Sequence, residues 1–248
     1  MRYTWGMGYR SVSSFLLFAV LVFVLGVGGV VHAADEATPS AAQIAKRYTG
    51  GFTLVGAHNQ AFDVIVRSDG TAHSTWVEGP GGSRGQAGRW EGYGNGILVA
   101  YDSGWRDWLH VSDSGAEGAG LIQQSTWKPG QGLLERPFAV ARALPIAGAR
   151  KAFVGVFSIS LDPKEPDISI TLQSSGRAFS NAKGAKALVP GTWWVEGNKA
   201  RMIWADGWRN EFARTPAGWQ HRSWRPESDF SKAPFRSGSL EAIAVLPD

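Results

Sequence analysis

The feature that most constrains this chain is that it contains itself twice. Gly104-Trp105-Arg106-Asp107 returns as Gly207-Trp208-Arg209-Asn210, each time behind a short apolar run that ends in an aromatic, Tyr101 or Trp204. The likeness extends through further blocks in the same order. Lys46-x-Tyr48-x-Gly50-x-Phe52 answers Lys151-x-Phe153-x-Gly155-x-Phe157, and Asp63-Val64-x-Val66 answers Asp167-Ile168-x-Ile170. Ser68-x-Gly70-x-Ala72-x-Ser74 answers Ser174-x-Gly176-x-Ala178-x-Ser180, and Gly88-x-Trp90 answers Gly191-x-Trp193. Thr126-Trp127-Lys128-Pro129 answers Ser223-Trp224-Arg225-Pro226. The offset drifts from 97 (Trp127 to Trp224) to 106 (Gly70 to Gly176), as small loop insertions would make it. A unit of about 100 residues closes its own core and is too long for a solenoid repeat.

Within each copy the local signals are those of strands. The first copy offers eight, near 50–57, 61–67, 71–77, 87–92, 96–102, 105–112, 119–127 and 137–144. Turn residues such as Ser68-Asp69-Gly70, Asn95-Gly96 and Asp102-Ser103-Gly104 separate them. The second copy repeats the series from Phe153 to Leu246. Gaps this short admit no crossover helices, so the strands must run antiparallel. Closing such a meander into a ring removes its exposed edges. The expected fold is therefore all-β, two tandem eight-stranded antiparallel up-and-down barrels at 46–146 and 151–248. The one helix expected near them is Ala41 to Tyr48, with Ser40 as N-cap.

Alternation predicts which side chains face inward. Val64 and Val66 pair with apolar residues in the second copy, Val99 and Tyr101 with Met202 and Trp204, and Trp105 and Leu109 with Trp208 and Phe212. Asp107 and Asn210 then sit on the same inner face, between apolar neighbours. A polar group there either bonds to its surroundings or faces a cavity. Trp105, Asp107 and Tyr101 in the first copy, with Trp208, Asn210 and Trp204 in the second, are the candidate ligand-binding residues. If the shared skeleton binds a ligand, both copies are expected to contribute.

An eight-strand meander opened by a short helix and Gly50-x-Phe52 resembles a lipocalin-type (calycin) barrel. That family places Gly-x-Trp in its first strand, with a basic residue of the last strand packed over the Trp. Here Phe52 and Phe157 stand in the Trp position, Arg142 would be the basic partner in the first copy, and Ala244 stands at its counterpart. The resemblance implies a role in binding small molecules or in structure, with no fixed chemistry.

Residues 1–33 read as a secretory signal: Arg2 and Arg10 precede the apolar Phe15 to Val31, and Val31-His32-Ala33 offers a cleavage site. Retention as an anchor helix is the alternative, since the apolar run is long. Residues 34–45 follow as a linker and the start of the short helix. The signal segment makes the chain expected in the periplasm or secreted, and with no cysteine it is neither acylated as a lipoprotein nor tied by disulfides. The 25 Lys and Arg, less the two in the signal, leave 23 against 21 acidic residues. So even a balance argues against nucleic acid as a partner. A membrane tether is expected only if the signal is retained.

No histidine spacing resembles a metal-ligand set, and no nucleophile elbow or phosphate loop is present, so no cofactor or metal is expected. Carboxylates such as Glu196 with Glu211, or Glu91 with Asp107, are the pairs that sugar hydrolysis would need. Tryptophan is abundant, at 12 residues. Trp90/193, Trp105/208 and Trp127/224 recur and read as core, while Trp76, Trp108, Trp194 and Trp219 have no counterpart and are candidate stacking platforms. The expected function is an exported, non-enzymatic protein that binds a small hydrophobic or amphipathic ligand. The alternatives are a carbohydrate-binding module or glycan-acting enzyme, and an accessory subunit packed on another exported protein.

Overall fold

Ser40 caps α1 (Ala41–Tyr48): its hydroxyl accepts the Gln43 N–H while the Gln43 side chain accepts the Ser40 N–H, a reciprocal capping box. The computed structural model describes residues 40–56, 60–112, 120–161, 164, 166–182 and 188–246. The expected signal segment lies outside the described residues. The α1 helix buries Ile44 and Tyr48 in the first core, and the Tyr48 hydroxyl donates to the Asn95 carbonyl at 3.1 Å.

Eight strands follow: β1 (Gly50–Val55), β2 (Phe62–Val66), β3 (Thr71–Ser74), β4 (Gln86–Tyr93), β5 (Gly96–Tyr101), β6 (Arg106–Val111), β7 (Ile122–Trp127) and β8 (Ala139–Pro145). Each pairs antiparallel with the next, and β8 returns to β1, closing the barrel. The second half repeats this with β9 (Gly155–Ile159), β10 (Ile168–Leu172), β11 (Arg177–Ser180), β12 (Val189–Glu196), β13 (Lys199–Trp204), β14 (Arg209–Thr215) and β15 (Gly218–Trp224). Its last strand is split. The β16 strand (Arg236–Ser239) pairs with β15, and β17 (Glu241–Val245) pairs with β9, with only Leu240 between them. The second sheet thus has nine strands where the sequence predicted eight. Leu240 turns into the core at the break, and the β17–β9 register slips at Ala242/Ala244, as a bulge does.

The inner faces are those the alternation predicts. Val64, Val66, Val99, Tyr101 and Leu109 fill the first core, and Ile170, Met202, Trp204 and Phe212 the second. One block of the repeat needs correction. Val64 pairs with Phe52 and Ser74, and its structural counterpart Ile170 pairs with Phe157 and Ser180. Asp63 therefore corresponds to Ser169, two residues beyond Asp167. A shift of two keeps every side chain on its face, so alternation alone could not detect it.

The two barrels pack against one another through polar and apolar contacts outside their lumens. The Asp63 carboxylate, fully buried, accepts the Ser174 N–H at 2.8 Å, the Ser174 hydroxyl at 2.5 Å and the Thr53 hydroxyl at 3.0 Å. Gln173 Nε2 donates to the Thr75 carbonyl at 2.9 Å, and Ser83, in a 3-10 turn at Gly82–Arg84, meets Ser169 and Thr171. Ile65 and Ile146 join the apolar cluster of the second barrel. Desolvation raises the Asp63 carboxyl above its ordinary pKa against the pull of these donors.

The shared Gly-x-Phe has a backbone reason. Gly50 and Gly155 both adopt positive φ (137° and 151°) as they enter the first strand of each copy. A Cβ at Gly155 would lie 2.0 Å from the Ala244 carbonyl oxygen, whereas one at Gly50 meets nothing within 4 Å. Gly155→Ala is expected to destabilise the protein by about 2–4 kcal/mol, and Gly50→Ala by clearly less. Urea unfolding midpoints of the two variants check this; equal losses would contradict it. The lipocalin-type pairing of a last-strand base with the first-strand aromatic is absent. Arg142 is exposed between the inward Ala141 and Ala143, on the opposite face from the buried Phe52.

Candidate functional site

The two lumens start from the same framework. In the first barrel, Asp107 on β6 accepts the Tyr101 hydroxyl at 2.9 Å and the Thr126 hydroxyl at 2.8 Å. In the second, Asn210 on β14 accepts the Trp204 Nε1–H at 2.6 Å and donates from Nδ2 to the Ser223 hydroxyl at 2.7 Å. The polar residue predicted to face inward is therefore satisfied by its own barrel in both copies. Burial pushes Asp107 up to about 6, with the Thr126 and Tyr101 hydroxyls pulling the other way.

What differs is how much space remains beside that pair. Around Tyr101, Trp105 and Asp107 there is a void of about 20 Å³, little more than a water molecule occupies. Around Trp204, Trp208 and Asn210 there is a cavity of about 340 Å³. That lies in the range of small-molecule sites.

Three substitutions between the copies open it. Trp76 corresponds to Ala182, since the Ser74 hydroxyl accepts the Trp76 N–H at 3.1 Å and the Ser180 hydroxyl accepts the Ala182 N–H at 3.1 Å. In the first barrel the Trp76 indole meets Trp105 edge to face at 5.4 Å and Phe62 at 6.3 Å, plugging the mouth. In the second, Ala182 and Trp208 both line the cavity. Gln86 and Phe62 likewise give way to Val189 and Ile168, by the strand pairings. The cavity wall is mostly apolar: Ile159, Leu161, Ile168, Ile170, Val189, Trp204, Trp208 and Phe235. Its polar groups are Ser180, Ser223, Asn210, Asp206 and Arg236.

Of the six residues singled out from the sequence, Trp204, Trp208 and Asn210 line this cavity, while Tyr101, Trp105 and Asp107 line the filled lumen. Ala182, Val189, Phe235 and Arg236 were missed. The signal for Ala182 was present in the aligned Ser74-x-Trp76 and Ser180-x-Ala182, where a large side chain meets a small one.

The recurring tryptophans hold the frame. Trp90 Nε1 donates to the Arg67 carbonyl at 2.7 Å, as Trp193 does to Gln173 at 2.8 Å. Trp127 donates to Glu135 at 3.0 Å, as Trp224 does to Lys232 at 2.9 Å. Of the unmatched four, Trp76 plugs the first lumen, and Trp219 packs edge-on against Phe153 and Phe157 in the second core. Trp108 stacks on His110 at 3.8 Å and Trp194 meets Phe230, both on outer faces. Glu196 and Glu211 are both held by Arg201, at 2.6 and 3.0 Å, and Glu211 also pairs with Lys199 at 3.1 Å. Glu91 faces outward and Asp107 inward, so that pair does not converge. No family model, no curated protein and no solved structure matches this chain.

Proposed function

We propose that this chain is an exported, lipocalin-like binding protein whose second barrel holds one small apolar or amphipathic molecule, while the first serves as a filled scaffold. The observation that carries the reading is the contrast of about 340 Å³ with about 20 Å³ at equivalent positions of two like barrels. Apolar walls with a few placed polar groups are the usual composition of such sites. The reading favours binding over catalysis because Asn210, the polar group at the base of the cavity, is spent on Trp204 and Ser223.

Trp204 and Trp208 in the wall provide the probe. Titration with a panel of apolar and amphipathic molecules is expected to change tryptophan emission saturably, with one molecule bound per chain. Two equivalent sites per chain, or saturation by oligosaccharides and by nothing in the apolar panel, would overturn the proposal.

A further inference from the structure

We infer that the molecule held in the second barrel carries a carboxylate on an apolar body, with the carboxylate seated against Arg236. This rests on the ligand-holding reading of that cavity. Met202, Asn210, Ser223 and Arg236 are successive cross-strand partners on β13, β14, β15 and β16. Residues directly opposite one another share a face, so all four project into the lumen. The same row in the first barrel is Val99, Asp107, Thr126 and Ala139. Where the filled barrel has an acid and a methyl group, the open one has an amide and a guanidinium. The row's charge changes from negative to positive in the one barrel that has room for a guest.

Arg236 lines the cavity, and among the described residues no carboxylate lies within ion-pair distance of it. Its guanidinium carbon lies 5.9 Å from the Phe235 ring centroid. Asp206, the acidic residue of the wall, belongs to the β13–β14 turn and accepts the Trp208 N–H at 3.4 Å. The hydroxyls point the same way. Ser180 and Ser223 already accept from Ala182 N and Asn210 Nδ2, which leaves their O–H groups as donors. Hydroxyl donors and a guanidinium fork in the wall of an otherwise apolar cavity suit a carboxylate, which a planar fork can engage with two parallel hydrogen bonds.

The test compares decanoate, decanol and decylammonium on the full chain and on Arg236→Met, which keeps the apolar stem at an exposed position. In the parent chain decanoate is expected to bind at least tenfold more tightly than decanol, and decylammonium more weakly than either. Arg236→Met is expected to abolish the preference for decanoate while decanol affinity stays within about twofold. Decanoate and decanol binding equally, or a preference that survives Arg236→Met, overturns the inference and leaves the cavity reading standing. No binding of any of the three overturns both.

Discussion

An Ala182→Trp variant is expected to fold like the parent chain and lose its ligand, with affinity falling at least a hundredfold. The first barrel is the control that nature has already built. Its Trp76 sits on the same backbone, anchored by the same amide-to-serine hydrogen bond at 3.1 Å, and its indole closes the lumen against Trp105. Trp208 stands ready to receive the new ring as Trp105 receives Trp76, since Trp105 and Trp208 each meet a phenyl edge at 5.7–5.8 Å, from Phe138 and Phe235. Overpacking a filled core costs about 1–3 kcal/mol, but here the added ring enters open volume at the mouth, so little of that cost applies. Calorimetric titration with the best ligand of the panel gives the affinity, and thermal unfolding gives the integrity of the fold. A variant that unfolds within about 2 °C of the parent and still binds at parental strength would place the ligand elsewhere.

Much of the architecture was legible because it rests on local patterns. The turn glycines, the alternation of Val64 and Val66 or Val99 and Tyr101, and the capping signature at Ser40 each act over a few residues. What escaped depended on distance or on volume. Asp63 alternates with the inward Val64, and nothing local reveals that its donor Ser174 lies 111 positions away, in the other copy. The split of the last strand at Leu240 sets one part on β15 and the other on β9, partners far apart in the chain that no single window of sequence records. The six candidate site residues were found because both copies keep a bulky ring and a short polar side chain there. That same likeness hid the asymmetry. The property that separates the copies lies at positions where they differ: Trp76 against Ala182, Gln86 against Val189 and Ala139 against Arg236. A search for agreement between repeats finds the frame, and the disagreements mark where the frame has been hollowed.

The other large effect concerns the first barrel's acid. Asp107→Asn is expected to stabilise the protein at pH 7.5 by up to about 3 kcal/mol, raising the unfolding temperature by about 5–10 °C, and to change little at pH 4. The wild-type carboxyl is raised to about 6 in the folded protein, with burial as the main cause. In the unfolded chain it ionises near its ordinary value of about 3.9. Between these two values the unfolded state binds fewer protons than the folded one, so stability declines as pH rises from about 4 to about 6 and the deficit then stays constant. Asparagine removes the ionisation and keeps the bonds: one oxygen still accepts the Tyr101 hydroxyl, and the amide donates to Thr126 as Asn210 donates to Ser223 at 2.7 Å. Other groups, Asp63 and His73 among them, titrate alike in both proteins and cancel in the difference. Urea unfolding at the two pH values measures that difference directly. A gain of the same size at pH 4 and pH 7.5 would mean that Asp107 is not ionised at a cost inside the barrel, and a loss at pH 7.5 would mean that its charge stabilises the lumen.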